Sequence, residues 1–364
     1  MRRKNMLFVR VDDLKVGMRL GKPVYNKNGV LLYERDSKLT MQAIYGIKNF
    51  GLMGLYILEP AEPLPPMSEA DITFERFQTM AIFSIREDLD LIADGKKDKG
   101  LAWLCSLIMK NYAVEGEKIN FVQSLRSTED YIYKHALNVA ILSTIIGSKM
   151  HLPNGRINNL VKAAILHDIG ALKFPKQAGM DEYDTGALEV IRRSTMEVIK
   201  WQDGLDDDVI SAITALHELV LKEDAGQVSE LAKNNLMANI LYVSDAYDRM
   251  TAMKSSEEPT SEVKAVKTLL SDSDKYDPDV VEALIQGINI LYPGVCVTLT
   301  NGENGLVITE NPENIFEPYI LSFRDNQLYN LSDSSIRAEF EIADVMKTMD
   351  NRIKIDPELL EEYM

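Results

Sequence analysis

The sequence predicts a mainly α protein in which an all-helical domain stands between a small β-rich domain and a short β appendage. Three observations predict this order. Short apolar runs alternate with turn signals before residue 60, apolar residues recur at helical spacing from residue 127, and period-two alternation returns after residue 294. The predicted segments are 1–60, a small β-rich domain; 61–119, a proline linker and connecting helices; 120–291, the helical domain; 292–345, the β appendage; and 346–364, a charged tail.

Composition narrows the classes of partner. The 56 acidic and 40 basic residues among 364 give a net charge of −16. That charge repels polyanions, so we expect neither a nucleic-acid polymer nor an anionic membrane surface as a partner. No transmembrane run or signal-peptide core is evident. Cys105 and Cys296 lie far apart, which is typical of buried thiols in a reducing compartment, and we expect a cytoplasmic protein.

The first predicted domain is recognised by its turns. Asn28-Gly29 lies between apolar runs, and such a pair is a strong hairpin signal because both turn residues must accept positive φ. A helix near 41–50 and a strand at 53–58 should complete the domain. Four prolines between residues 60 and 66 then predict a stiff linker, since proline fixes φ and removes a donor. A long helix beginning near Ser68 should follow.

The central segment is helical by its apolar periodicity. Ser127 and Asp130 resemble a helix cap before a mostly apolar helix that runs to about residue 146. Further helices are predicted near 156–168, 185–201, 206–222, 233–253, 260–271 and 278–290.

Only four histidines occur, and three of them are predicted to point inward. His151 ends a helix, where a cationic side chain suits the last carbonyls, so it is left out of any site. His135 and His217 fall on apolar helix faces, and His167 precedes Asp168 at the end of the apolar run "AILHDIG". Each histidine alone would more often be a satisfied core residue than a ligand. Together they suggest a shared site.

A distant aspartate extends this set. Asp245 lies on the core side of a predicted helix, where an unpaired carboxylate is costly unless a cation compensates it. The alternative is an i+4 salt bridge to Arg249. Asp248 has the same alternative and a weaker claim. Imidazole nitrogens and the oxygens of Asp168 and Asp245 make a mixed donor set that suits Mn²⁺, Fe²⁺, Ni²⁺, Co²⁺ or Zn²⁺. A metal so held could polarise a phosphoryl oxygen and lower the pKa of a bound water, which would make it a nucleophile.

These residues resemble the HD superfamily of metal-dependent phosphohydrolases. In order along the chain, a helical histidine, an adjacent His-Asp pair and a distant helical aspartate match His135, His167, Asp168 and Asp245. The segments "LHDIGALKFP", "ALHE", "ILYVSDAYDRMTAMK", "YDPDVVEAL" and "YPGVCVTLTNGENGLVI" are similar to landmarks of the HD-GYP subfamily, whose members hydrolyse cyclic di-GMP. The segment "VGMRLGKPVYNKNGVLLY" is similar to a small domain often found ahead of it.

The resemblance implies a function for particular residues. His135, His167, Asp168 and Asp245 would hold one divalent ion, with His217 as a candidate fifth donor. His167 and Asp168 would be catalytic, and Lys254 would contact the substrate phosphate. The implied activity is a phosphodiesterase that hydrolyses cyclic di-GMP or a related nucleotide through a metal-activated water.

Several family features are missing, which keeps other functions open. The Gly-Tyr-Pro motif is absent after Glu218, and Leu216 and Ser194 stand where the family has histidines. Ala171 and Tyr131 replace a usual lysine and a glutamate of three-metal members. The first alternative is a catalytically degenerate nucleotide- or metal-binding signalling module; the second is a mononuclear HD nucleotidase. A homodimer or a signalling partner is expected to bind through the N-terminal domain.

Overall fold

The computed structural model describes residues 6–26, 28–49, 54–58, 69–114, 116, 118–121, 123, 130–173, 185–200, 202, 204–221, 228–252, 259–325 and 327–345. Two compact units are present. The first unit comprises Met1–Glu115 and Gln123–Glu258, and the second comprises Gly116–Val122 and Pro259–Met364. Helices predominate, with β-rich regions near both ends, so the predicted mainly α class is confirmed. The predicted boundaries at 60, 119, 291 and 345 stay predictions.

The N-terminal part of the first unit is β-rich, as its alternating pattern predicts. Strands β1 and β4 pair antiparallel, as do β2 and β3, and one helix packs beside them. The elements are β1 Met6–Arg10, β2 Val24–Tyr25, β3 Leu31–Tyr33, α1 Met41–Asn49 and β4 Gly54–Leu58. Asn26 closes the β2–β3 hairpin, since its Oδ1 accepts from the backbone N of Asn28 and Val30. Gly29 supplies the positive φ of 72° that the turn requires.

Two helices follow, α2 Glu69–Ala93 and α3 Leu101–Tyr112. The 25-residue α2 confirms the long helix predicted here. Asp88 fixes the turn between α2 and α3, because its Oδ1 accepts from the backbone N of Lys99 at 2.8 Å and of Gly100 at 3.0 Å. The four linker prolines and the Ser68 cap lie outside the described residues.

The remaining helices of the first unit form the predicted all-helical region. They are α4 Tyr131–Lys149, α5 Asn154–Leu166, α6 Thr185–Lys200, α7 Asp207–Leu221, α8 Glu230–Lys233 and α9 Leu236–Thr251, with a short 3₁₀ helix at Ile169–Lys173. Helix α4 is central, since every residue from Ile132 to Gly147 is buried. It contacts both α5 and α9.

Two details of this region differ from the sequence-based expectation. The single helix predicted at 233–253 is interrupted, because the Asn235 side chain accepts from the backbone N of Ala238 and starts α9 afresh. Helix α5 ends at Leu166, so His167 is its C-cap and Asp168 lies in the following turn. The helix predicted near 156–168, with the His-Asp pair at its end, thus ends two residues earlier than expected.

The second unit combines three helices with an antiparallel sheet. Its helices are α10 Glu262–Ser271, α11 Pro278–Gly287 and the short α12 Ser334–Arg337. The sheet has five strands in the order β8-β7-β6-β5-β9. These strands are β5 Cys296–Leu299, β6 Asn304–Thr309, β7 Tyr319–Ser322, β8 Leu328–Asn330 and β9 Ile342–Val345. The predicted β appendage is thus present and holds more strands than the sequence indicates.

Side-chain contacts hold the second unit together. Lys264 on α10 pairs with Asp344 on β9 at 2.8 Å, and Asp277 caps α11 through the backbone N of Asp279. The predicted tail from residue 346 lies outside the described residues. Across the part of the chain that is described, no helix has the length and apolarity needed to cross a membrane.

Candidate metal centre

Three helices bring four predicted side chains together. His135 comes from α4, His167 and Asp168 follow the end of α5, and Asp245 comes from α9. One potential donor atom from each lies within 4.8 Å of the other three. We call these four residues the quartet. Helices α4, α5 and α9 contact one another, and all four quartet residues are buried.

The separations within the quartet are those of atoms that face one point. His135 Nε2 lies 2.9 Å from Asp245 Oδ1 and 3.3 Å from His167 Nε2. His167 Nε2 lies 3.5 Å from Asp245 Oδ1 and 3.6 Å from Asp168 Oδ2. Donors held about 2.1 Å from one ion at tetrahedral or octahedral angles are about 3.0 to 3.4 Å apart. The quartet is therefore close to the spacing that a divalent ion requires.

The donor chemistry also fits a divalent transition metal. Two imidazoles and two carboxylates suit Mn²⁺, Fe²⁺, Co²⁺, Ni²⁺ or Zn²⁺, and the described residues place no thiol in the group. Asp168 Oδ1 is buried and has no hydrogen-bond partner among the described residues. A buried carboxylate oxygen without a partner is costly, and a ligand would compensate it. The quartet is thus a site that could hold a metal ion.

Hydrogen bonds outside the quartet set the tautomers of both histidines. His135 Nδ1 lies 2.6 Å from Asp248 Oδ2, and His167 Nδ1 lies 2.7 Å from the Ala164 carbonyl oxygen. An acceptor at Nδ1 holds the proton there. Each Nε2 can therefore offer a lone pair to the centre of the quartet, as metal-binding histidines do.

Asp248 has a larger role than its sequence indicates. Its Oδ1 accepts from Asn138 Nδ2 and from Gln123 Nε2, both at 2.9 Å, and Gln123 also donates to Thr251 Oγ1 at 2.8 Å. All four residues are buried. Asp248 follows Asp245 by three residues, so the two carboxylates share a helix face. That spacing places Asp248 on the same face of α9 as Asp245, but its pairing with His135 arises only from the packing of α4 against α9.

Arg249 makes the predicted salt bridge and a second, unpredicted one. Its Nε donates to Asp245 Oδ1 at 2.9 Å and to Oδ2 at 3.0 Å, which is the i+4 alternative. Its Nη2 also donates to Asp168 Oδ2 at 2.6 Å. The salt bridge and the ligand cluster therefore coexist, and one guanidinium joins both quartet carboxylates.

The charges of the site shift its pKa values strongly. Burial alone would raise the pKa of Asp168 and Asp245, but neighbouring cationic groups, above all Arg249 and the histidines, lower both. Burial lowers the pKa of His167, yet Asp168 and Asp245 prevail and raise it. Burial likewise lowers the pKa of Arg249, while the same carboxylates hold it well above its usual value. The site is thus a dense buried ion network.

His217 lies next to the quartet without being one of its members. Its Nε2 lies 3.0 Å from the His167 carbonyl oxygen, so it carries the proton that the carbonyl accepts. Its Nδ1 is buried and has no hydrogen-bond partner among the described residues. Burial lowers the pKa of His217 to about 4, so the ring is neutral at pH 7. Its predicted role as a fifth donor stays a prediction, for which Nδ1 offers a lone pair.

Arg192 was missed by sequence reasoning. It lies on α6, is only 3 % exposed, and its Nε and Nη1 have no hydrogen-bond partner in the described part of the chain. Burial lowers its pKa, against the opposing effect of Asp168 and Asp245. No sequence signal marks it, because Arg193 beside it is exposed and has the same side chain.

A glycine allows α6 to approach the His-Asp turn. A Cβ on Gly170 would lie 2.1 Å from the Ile191 carbonyl oxygen and 2.5 Å from the Thr195 backbone N. The Gly170 backbone N also donates to Thr195 Oγ1 at 2.9 Å. The glycine of "HDIG" is therefore required for close packing and keeps Arg192 near Asp168.

Other predicted features have different outcomes. Lys254, the predicted phosphate contact, lies outside the described residues. The catalytic roles of His167 and Asp168 stay predictions. Ala171 and Leu216 are buried apolar residues, and Ser194 is half-buried on α6. Two of the three positions at which the family has polar side chains, Ala171 and Leu216, are thus part of the apolar core.

Comparison with known proteins gives a family match in the same region. Residues 132–250 match the family model described as HD domain. The chain is 23% identical over 209 residues to "Cyclic di-GMP phosphodiesterase PA4108" of Pseudomonas aeruginosa, covering 55% of this chain and 49% of that protein. It is 23% identical over 213 residues to "Cyclic di-GMP phosphodiesterase PdeB" of Borreliella burgdorferi, covering 56% of this chain and 55% of that protein.

The chain thus spans about half the length of the curated relatives it matches. Among solved structures, "Bd1817, a HDG"Y"P protein from Bdellovibrio bacteriovorus" is similar with a TM-score of 0.43 at 15% identity, covering 77% of this chain and 98% of that one. The match of residues 132–250 to the HD domain confirms the predicted resemblance for that part of the chain.

Proposed function

We propose that this chain is a metal-dependent phosphodiesterase that hydrolyses cyclic di-GMP or a related nucleotide. One observation carries the proposal. Four donor groups from α4, α9 and the turn after α5 converge within 4.8 Å, and both histidines direct Nε2 toward the centre of the group. The two curated relatives, whose names state cyclic di-GMP phosphodiesterase activity, support the choice of substrate.

Each quartet residue has a part in this chemistry. His135, His167, Asp168 and Asp245 would hold the ion, and a bound divalent ion lowers the pKa of water and polarises a phosphoryl oxygen. Asp168 Oδ1, buried and without a hydrogen-bond partner among the described residues, can accept a hydrogen bond or a proton from the attacking water. Asp248 keeps His135 in the tautomer that presents Nε2.

Arg192 supports recognition of an anionic substrate. Its buried guanidinium interacts electrostatically with the quartet carboxylates and keeps two nitrogen atoms without partners among the described residues. A phosphate oxygen would satisfy these donors, since arginine matches phosphate geometry. We propose that Arg192 contributes the phosphate contact together with Lys254, which the resemblance implies.

One observation favours a second function, a binding module for signalling. Lys134, which precedes His135 on α4, is buried, pairs with Asp130 at 2.6 Å and donates to Tyr56 of the N-terminal β4. Its ammonium also lies 4.8 Å from the centroid of the Tyr56 ring. A conformational change that moves Tyr56 would thus alter the contacts of Lys134, the residue next to the quartet histidine His135. In this alternative the site binds a metal or nucleotide without turnover.

Metal analysis combined with hydrolysis assays distinguishes these functions. The full chain, loaded with Mn²⁺ or Fe²⁺, is incubated with cyclic di-GMP, its linear dinucleotide product and mononucleotides. Loss of both metal and turnover in His167→Ala, but not in the exposed His151→Asn, is the expected result. Turnover of mononucleotides alone would select the mononuclear nucleotidase. Tight nucleotide binding without turnover would select the signalling module, and no metal above background would refute the enzyme.

A further inference from the structure

Arg249 binds the same two oxygen atoms that face the quartet histidines. Asp245 Oδ1 is 2.9 Å from His135 Nε2 and accepts from Arg249 Nε at 2.9 Å. Asp168 Oδ2 is 3.6 Å from His167 Nε2 and accepts from Arg249 Nη2 at 2.6 Å. The guanidinium thus binds the carboxylate oxygens that lie nearest the Nε2 atoms of the quartet histidines.

The contact to Asp168 is not an ordinary helix salt bridge. Arg249 and Asp245 are i+4 neighbours on α9, a spacing at which such pairs form on any helix. Asp168 lies 81 residues away along the chain, in the turn after α5. Two buried carboxylates side by side repel each other, and a cation between them removes that cost. Arg249 therefore offsets the repulsion between the two carboxylates of the quartet.

Arginine and a divalent ion would compete for these oxygens. Both are cations, and in a buried site their mutual repulsion is only weakly screened. Asp168 Oδ2 is already engaged in a short charge-assisted hydrogen bond. The Arg249 side chain is 26 % exposed, so part of it lies at the surface of the site.

We propose that Arg249 is a built-in counter-cation of the quartet, which competes with the divalent ion for Asp168 and Asp245. It stabilises the metal-free protein and weakens metal binding, so the centre fills only when the ion concentration is sufficient. This inference rests on the proposed metal centre, and it adds a means by which the chain sets its own metal affinity.

The test compares metal affinity and stability in three full-length variants. Arg249→Gln removes the cation, and Arg249→Lys keeps the charge without the bidentate geometry of a guanidinium. Arg193→Gln is the control, because it removes an equal charge from an exposed i+4 pair with Glu189. Dissociation constants for Mn²⁺ and Zn²⁺ are measured by competition with a chromophoric chelator. Melting temperatures are measured with chelator and with saturating Mn²⁺.

We expect loss of the Arg249 cation to raise metal affinity and to lower the melting temperature of the metal-free protein. Arg249→Gln binds both ions about tenfold or more tightly than wild type. Its melting temperature falls by about 5 °C or more in chelator and recovers with Mn²⁺, because the bound ion replaces the lost cation. Arg249→Lys has intermediate affinity, and Arg193→Gln behaves like wild type.

Two outcomes refute different claims. If the wild type binds metal and Arg249→Gln binds no more tightly than Arg193→Gln, the competition is refuted while the metal centre stands. Absence of metal binding in every protein refutes the centre and the competition together. Should Arg249→Gln be unfolded in chelator, its folded fraction at rising Mn²⁺ gives the affinity, and Arg249→Lys must then bind more tightly than wild type or the competition is refuted.

Discussion

His135 Nδ1 lies 2.6 Å from Asp248 Oδ2, and this hydrogen bond joins helices α4 and α9 at the quartet. Asp248 in turn accepts from Asn138 and Gln123, so its orientation is fixed by buried donors. A carboxylate behind a metal-binding imidazole sets the ring tautomer and raises its basicity. The relationship makes Asp248 a positioning residue for metal binding.

We expect Asp248→Asn to weaken metal binding while the protein stays folded. The amide keeps the shape of the carboxylate but loses the charge that favours Nδ1–H on His135. Loss of such a partner typically costs about 10- to 100-fold in metal affinity. Affinity for Mn²⁺ is measured by calorimetry. Asp90→Asn is the control, because Asp90 is exposed and contacts Tyr133 and Arg86, neither of which belongs to the quartet. Equal affinities in the two variants would contradict the role of Asp248.

His217 predicts a pH-dependent stability in the absence of metal. Burial lowers its pKa from the usual 6.5 to about 4 in the folded chain. Between pH 6.5 and 4, His217 is protonated in the unfolded chain and neutral in the folded chain. The contribution of His217 to the free energy of unfolding is therefore fully present above pH 6.5. It is lost as pH decreases toward 4, and the loss amounts to about 3 kcal/mol.

The measurement is denaturant unfolding in chelator at several pH values. We expect His217→Gln to lack most of the slope between pH 6.5 and 4, since an amide does not titrate there. His151→Asn is the matched control, because His151 is exposed with φ of 56° and Asn tolerates that conformation. A wild-type slope retained in His217→Gln would show that other groups cause the pH dependence.

Gly170→Ala should destabilise the His-Asp turn. Its Cβ would meet two backbone atoms of α6, at 2.1 Å and 2.5 Å, and backbone atoms cannot rotate away. We expect a loss of about 1–3 kcal/mol in the free energy of unfolding, together with weaker metal binding because Asp168 moves. Gly155→Ala on α5 is the control, since nothing lies within 4 Å of its Cβ. Similar stabilities of the two variants would contradict the close approach of α6.

Arg192→Met should separate stability from ligand binding. A buried guanidinium whose Nε and Nη1 lack partners among the described residues is costly, so an apolar replacement is expected to leave the melting temperature unchanged or raise it. Affinity for the linear dinucleotide should fall by about tenfold or more, because charge-assisted hydrogen bonds to phosphate are lost. Both quantities are compared with Arg193→Met, and unchanged nucleotide affinity would exclude Arg192 from the anion contact.

Local patterns in the sequence suffice for the elements that carry the site. Apolar periodicity and cap residues depend on neighbours a few positions apart, so the helices that hold His135 and Asp245 are predicted close to their observed bounds. The donor types also follow from residue identity. Histidine and aspartate at inward positions predict a mixed nitrogen and oxygen site whichever way the helices pack.

Contacts between distant residues required the tertiary structure. Asp248 reaches His135 across 113 residues and Arg249 reaches Asp168 across 81, and no helical spacing encodes either pair. Burial is likewise a property of packing, which is why Arg192 and Arg193 are indistinguishable in sequence yet one is buried and the other exposed. The helices and the donor types thus follow from local sequence. Helix packing selects the carboxylate that orients a histidine and the cation that competes for the centre, because these partners are far apart along the chain.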